Sequence, residues 1–409
     1  MTTLRDVHSR SRISGYDPDV LENGRVYVAG LGALGQNIVL DLALSGVGGL
    51  RLADPDEFED HNATRSPFFP TAPDVARLGI GKAANVASRA KGISTANKPD
   101  YRFSKNLIQM IGDGPIRWAD VIVSAVDSVS ARAWLSERCK VHARPMIEGG
   151  FYADRFNWAI YDGERPTPCY RCSNPDRESS SSCRQYAQQA ELQGVIPAIQ
   201  AGAATLAGFM AHQTIEALHG RLPLAGRRFH CGLQGEVDAA DLTLDPDCPG
   251  KHDELCDGGS VALGRDASLS GLLRVIEGLH GPCSVELAET FIERAACVKC
   301  REVCNVFAVE AAWLMNPHCD LCGGSWRRKS DSPSPYLAVK NCHSWQVANE
   351  ELEQANCSAA GVGAGSSVIV TVDATNKQLL VRMAGDVNSQ FTKIAEASPV
   401  IGLDLGKAG

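Results

Sequence analysis

The residues with chemistry to offer begin at Gly30-Leu31-Gly32-Ala33-Leu34-Gly35. A Gly-x-Gly-x-x-Gly turn lets backbone approach a phosphate and aims the free N–H groups of a helix start at it. Asp54, with Asp56 close behind it, follows Gly35 at the spacing of the carboxylate that takes a ribose hydroxyl in a dinucleotide-binding βαβ unit. Taken alone, these features describe a nicotinamide or flavin oxidoreductase. The residues that follow point elsewhere. Asn62, Arg65, Lys82 and Asp127 bring an amide, two cations and a carboxylate to one crevice. Such a set neutralises a triphosphate and holds Mg²⁺, which hydride transfer does not require.

Those residues need a scaffold that turns them toward one another. Residues 25–29 read as a buried strand running into the glycine turn, and 36–45 as the apolar helix after it. Residues 49–53 form a second strand ending at Asp54; further strands are expected at 101–103, 121–126 and 145–148, with helices over 82–91 and 130–142. Alternating β and α elements predict a doubly wound α/β sheet of Rossmann type, and an aspartate just past a strand's carboxyl end, as Asp127 is, sits where such sheets bind ligands. Beyond it, residues 176–183 read as a hydrophilic crossing segment, 194–218 as a long helix rich in small residues, and 228–244 as strands. Residues 367–372 and 378–383 read as a hairpin.

From about residue 10 to residue 252 the sequence resembles the superfamily of ubiquitin-activating enzymes and their bacterial relatives, the adenylyltransferases that activate sulfur-carrier proteins in thiamine and molybdopterin biosynthesis. The residues that carry the likeness are Gly30, Gly32, Gly35, Asp54, Asn62, Arg65, Lys82 and the run Asp127-Ser128-Val129-Ser130-Ala131-Arg132. The resemblance implies that Asn62, Arg65 and Lys82 contact the phosphates of ATP and that Asp127 binds the metal. It also implies that Arg10 or Arg12 reaches the ATP of the other subunit in a homodimer. Members usually carry glutamine directly after the arginine of the Asn-x-x-Arg step; this chain has Ser66.

Cysteine spacing adds two metal expectations. Cys169-x-x-Cys172 is a zinc-knuckle arm, and Zn²⁺ takes four tetrahedral ligands, usually from two arms. The resemblance places the second arm at Cys248 and His252, with Cys256 as a substitute for the histidine. Cys297, Cys300, Cys319 and Cys322 form two further knuckles that fit a separate zinc ribbon; pairing of Cys169 and Cys172 with Cys319 and Cys322 is the alternative. Cys183 lies where the family's crossover loop often bears a cysteine that receives the activated carrier, and a neighbouring Arg184 or a nearby helix start would lower its pKa.

Composition bounds the rest. A chain of 409 residues with 44% apolar residues has the length for two or three structural units. The expected division is an adenylation domain over 1–255, a linker over 256–282, a zinc ribbon over 283–330 and an accessory segment over 331–409. Net charge −8 argues against a non-specific nucleic-acid binder, and the lack of a long apolar run against a membrane protein. Fifteen cysteines behind a polar N-terminus fit a reducing, cytoplasmic setting.

The expected activity is ATP- and Mg²⁺-dependent adenylation of the C-terminal carboxylate of a ubiquitin-like or sulfur-carrier protein ending in glycine. Transfer to Cys183 and hand-over to a conjugating enzyme or sulfurtransferase would follow. A peptide-modifying adenylyltransferase, a nicotinamide oxidoreductase and a non-catalytic docking scaffold are the competing readings.

Overall fold

The computed structural model describes residues 7–70, 79–152, 155–174, 199–232, 235–262, 267–297, 299–315, 319, 321–324, 336–346 and 355–394. Eight strands in chain order begin the larger sheet: β1 (Arg25–Ala29), β2 (Gly49–Ala53), β3 (Asp100–Ser104), β4 (Val121–Ser124), β5 (Met146–Tyr152), β6 (Arg155–Tyr161), β7 (Arg227–Gly232) and β8 (Val237–Asp241). Their spatial order is β3-β2-β1-β4-β5-β6-β7-β8, parallel from β3 to β5 and antiparallel beyond. Val26 and Val28 face one layer while Tyr27 and Ala29 face the other, as a strand buried on both sides requires. Helices Ala33–Ser45, Lys82–Ile93 and Gln200–Leu218 cover the first face, and Val129–His142 covers the second. The parallel strands β1 and β4 are neighbours, and from β1 the chain adds β2 and β3 on one side and β4 and β5 on the other, so the crevice past the carboxyl ends of β1 and β4 is the topological switch point.

The expected linker is not one. Residues 256–282 contribute β9 (Cys256–Val261) and the helix Leu269–His280 to a second sheet, with β10 (Cys283–Cys297), β11 (Val303–Val309), β12 (Tyr336–Gln346), β13 (Ser367–Val372) and β14 (Lys377–Met383). The order is β11-β10-β13-β14-β9, with β12 also paired to β10. Leu269, Leu272, Leu273 and Ile276 repeat at helical spacing and pack with Val285, Val368, Val370 and Val381 in a core of their own. Gly258, which reads as linker composition, is there because a Cβ would lie 2.7 Å from Val381 Cγ2. Residues 283–330 and 331–409 are likewise not separate modules: the knuckle at Cys297 is the far end of the 15-residue strand β10.

The chain then returns to the first sheet. β15 (Thr392–Lys393) pairs with the open edge of β3, and Phe391 sits edge-on to Tyr27 at 6.1 Å. Arg51, 1% exposed, donates from Nε to Asn388 Oδ1 at 2.5 Å and stacks on Trp118 at 4.0 Å. Covering the edge removes a row of unpaired backbone groups.

The two units meet over helix Val129–His142. Val141 packs with Ile369 and Leu380, and Gly112, at φ +77°, lies so close that a Cβ would meet Gly361 O at 2.5 Å. Asp113, fully buried, accepts from the Ser367 N–H at 2.8 Å and from Ser367 Oγ, and lies 2.6 Å from His142 Nε2. Burial lowers the His142 pKa, offset in part by Asp113; Arg138 and Arg117 lower it further. Burial alone would raise the Asp113 carboxyl, but His142, Arg138 and Ser367 outweigh it and hold it below its ordinary value.

Both groups therefore bind protons more readily unfolded than folded, so their contribution is full above the unfolded pKa of each and declines as pH falls. The urea midpoint is expected to drop on acidification from about pH 7.5 to 5.5, the window in which unfolded histidine titrates. His142→Gln is expected to lower the midpoint at pH ~7.5 and to flatten that slope. An unchanged slope in this variant would remove His142 as its source.

Candidate nucleotide site and metal centres

The three glycines of the turn answer three demands. Gly30, at φ +86°, would place a Cβ 2.6 Å from Ala125 O, and its N–H donates to Ala53 O at 2.9 Å. Gly35 would drive a Cβ into Gly30 O. Gly32 caps helix Ala33–Ser45, and a Cβ there would meet only open space. The outer glycines let backbones touch, while the middle one faces the crevice at a helix start with no side-chain cap.

Asp54 is buried beneath this turn. Its carboxylate accepts from the N–H of Leu31 at 2.6 Å and of Asp56 at 2.9 Å. Burial raises its pKa to about 6, with Lys82 opposing and Asp56 adding to the rise. Lys82 opens helix Lys82–Ile93; its N–H donates to Asp56 O, and its Nζ lies 2.9 Å from Asp56 Oδ2. Glycine turn, Asp54, Asp56 and Lys82 are thus one bonded unit.

Asn62 is buried and its Oδ1 accepts from the Glu59 N–H at 3.0 Å, closing a capping box around a single turn. Arg65, half-buried, donates its backbone N–H to Asn62 O at 3.1 Å. Ser66 accepts from Gln36 Nε2 at 3.2 Å, and the same amide donates to Leu31 O at 2.9 Å. Gln36 is fully buried and joins the Arg65 loop to the glycine turn. A glutamine amid an apolar helix start is its signal in the sequence.

Asp127 is exposed at the bend after β4. Ala125, against which Gly30 packs, is two residues earlier, so Asp127 borders the same crevice. Arg10 and Arg12 are not brought to it. They lie on the short helix Ser9–Ile13, and His8 abuts Gly46, where a Cβ would sit 3.0 Å from its ring. Gly46 ends helix Ala33–Ser45, about 20 Å of helix from the glycine turn. Cys183 lies outside the described residues.

Cysteines gather in two clusters. Cys169, Cys172, Cys248 and His252 place their ligand atoms within 4.8 Å of one another, as do Cys297, Cys300, Cys319 and Cys322. Cys169 Sγ is 3.7 Å from the sulfurs of both Cys172 and Cys248, and Cys172 Sγ is 3.3 Å from His252 Nε2. In the second cluster Cys297 and Cys322 are 3.6 Å apart and Cys300 and Cys319 3.9 Å. Tetrahedral Zn–S bonds of about 2.3 Å put sulfurs about 3.8 Å apart, so both clusters fit zinc. Cys256 belongs to β9, paired with Leu379, and is outside the first cluster.

Local chemistry favours a cation in each. Burial pushes the Cys169 thiol up and the neighbouring thiols add to this, so three thiolates this close need a counter-charge. Lys140, 1% exposed and bonded to Glu164 O and Thr167 Oγ1, feels Cys169 and Cys172 and offsets the single negative charge of a three-cysteine, one-histidine zinc site. In the second cluster the Cys300 N–H, followed by that of Lys299, lowers the Cys297 pKa to about 6, toward the thiolate that zinc requires. Gly250 packs against the cluster: a Cβ there would lie 3.0 Å from Cys169 Sγ and 3.1 Å from His252 Nε2.

Comparison with known proteins fits this geometry. The ThiF family model matches residues 9–249. Over 252 residues the chain is 28% identical to the SAMP-activating enzyme E1 of Haloferax volcanii, covering 59% of this chain and 83% of that protein. It is 28% identical to the adenylyltransferase and sulfurtransferase MOCS3 of Arabidopsis thaliana over 178 residues, 42% of this chain and only 36% of that one. Among solved structures, Escherichia coli MccB with MccA-N7isoASN shares the fold at TM-score 0.50 and 19% identity, over 61% of this chain and 75% of that one. Among the described residues no helix is long and apolar enough to cross a membrane.

Two equivalents of zinc per chain are expected by elemental analysis, one for each cluster. Cys172→Ser is expected to leave about one equivalent and to lower the melting temperature, because structural zinc contributes folding free energy directly. Full zinc content in that variant would remove the first cluster as a metal centre.

Proposed function

This chain belongs to the ThiF family, and from that premise and the site's geometry we propose that it is an ATP-dependent adenylyltransferase acting on the C-terminal carboxylate of a ubiquitin-like or sulfur-carrier protein. One observation carries the reading: the open middle glycine of the turn faces a switch-point crevice bounded by Asp54, Lys82 and Asp127. The ribose binds at Asp54 and the phosphates lie across the helix start at Gly32. The carrier's carboxylate oxygen attacks the α-phosphorus; the bond from that phosphorus to the β-phosphate oxygen breaks, giving an acyl adenylate and pyrophosphate.

Lys82 and Arg65 offset charge gathering on the phosphate oxygens, and the Asp56 contact keeps the ammonium aimed before nucleotide arrives. Asp127 would hold Mg²⁺, which when bound shields the phosphates from an incoming anion. Because Arg10 and Arg12 lie at the far end of helix Ala33–Ser45, either would serve the crevice of a second copy in a homodimer. Cys183 is the proposed acceptor of the acyl group. The second sheet and the hairpin with the second cysteine cluster lie beyond the matched residues 9–249 and support a dedicated pathway with its own conjugating enzyme or sulfurtransferase.

Carrier-dependent ATP–pyrophosphate exchange is the direct test. Exchange is expected with a carrier ending in Gly-Gly, and Asp127→Ala is expected to lower kcat/KM by about a hundredfold or more. Exchange only with a short peptide would replace the carrier by a peptide substrate. NADH binding without ATP binding would overturn the adenylation reading.

A further inference from the structure

We propose that Glu148 and Arg132 are positioning residues whose buried ion pair fixes the Asp127 bend for its cation. The inference rests on the nucleotide reading above and assigns to this pair a task in it. Glu148 belongs to β5, in register with Ser124 of β4, and its side chain is 1% exposed. Arg132, at 12%, donates from Nη1 to Glu148 Oε1. Its backbone N–H closes the first turn of helix Val129–His142 onto Ser128 O at 3.2 Å, while Ser128 Oγ caps the Ala131 N–H at 3.1 Å. Residues 128–132 are therefore one rigid turn, bolted to the sheet by the arginine, and Asp127 is the residue immediately before it.

Two further features show that space was reserved for this contact. A Cβ at Gly150 would lie 2.5 Å from Arg132 Nη2, and a Cβ at Gly149 would collide with Met210 Sδ on the opposite face. Glycines at both positions let β5 admit a guanidinium on one side and a helix on the other. Glu148 Oε2 and Ser124 Oγ, side by side in register, are buried without a hydrogen-bond partner among the described residues. A buried ion pair with an unsatisfied oxygen gives little stability compared with apolar packing. Its use here is geometric: β4 ends at Ser124, and without the pair only Ala125, Val126 and the cap on Ser128 define where Asp127 points.

The test separates holding a cation from holding the fold. Mg²⁺-dependent binding of a non-hydrolysable ATP analogue is titrated calorimetrically for the wild-type chain, for Glu148→Gln, and for the neutral double variant R132Q/E148Q. The double variant leaves no uncompensated buried charge, so it keeps the test valid if the single variant fails to fold. The Mg²⁺ concentration for half-maximal binding is expected to rise about tenfold in the folded variants, the usual effect of removing a group that orients a metal ligand. Binding of the analogue without Mg²⁺ is expected to stay unchanged. Folded variants with wild-type Mg²⁺ dependence would overturn the inference alone. A wild-type chain that binds no nucleotide would overturn the adenylation reading and this inference with it.

Discussion

The close approach of Gly30 to the carbonyl of Ala125 is the contact on which the site depends. It holds the turn after β1 against the end of β4, at the one place in the parallel sheet where neighbouring strands run on to opposite sides. No side chain fits between them. Because the two backbones touch there, Gly32 and its helix start, Asp54 and the bend at Asp127 share a single crevice. A larger residue at position 30 would separate the strand ends and divide the carboxylate of Asp127 from the turn that faces the phosphates.

Helix Val129–His142 carries the consequences of that contact outward. It is buried on both sides, by the large sheet and by the second unit, so its sequence lacks the one-sided apolar stripe of a surface helix. Its charged residues are paired in place: Arg132 with Glu148, Arg138 with Glu137, Lys140 with Asp162 and with Glu164 O and Thr167 Oγ1, and His142 with Asp113. One helix thus links the Asp127 bend, the first cysteine cluster and the junction with the C-terminal unit.

The two cysteine clusters stand in different settings. The first joins 169–172 to 248–252 beside a buried lysine, and so ties the end of the antiparallel strands back to the body of the sheet. The second closes the tip of the β10–β11 hairpin, where Leu321 and Val303 are exposed. The first is an internal brace of the domain that holds the crevice, and the second shapes a projecting end.

Much of this was legible in the sequence because local patterns have local causes. The strands at 25–29 and 49–53, the helix start at Lys82 and the hairpin of β13 and β14 follow from apolar runs, glycines and turn residues that act over a few positions. Spacing also pointed to Cys297 and Cys300 with Cys319 and Cys322, because knuckle geometry is short-range, while leaving open the pairing of Cys319 and Cys322 with Cys169 and Cys172 that the folded clusters exclude. Three things escaped it. The stretch 256–282 reads as a linker because Gly258 is explained by Val381, Leu379 and Leu380, far along the chain. Gln36, Arg132, Glu148 and Lys140 are polar residues whose partners come from other elements, and no local signal marks a partner. The seat of Arg10 and Arg12 at the far end of helix Ala33–Ser45 likewise depends on how the N-terminal segment packs at Gly46; the resemblance implied only that one of them reaches the ATP of a second copy. The linear order of residues determined which elements form and which chemistry they carry; only tertiary packing decided which buried charges meet, because burial and distance, the two quantities that set an ionic interaction, do not exist until the layers close.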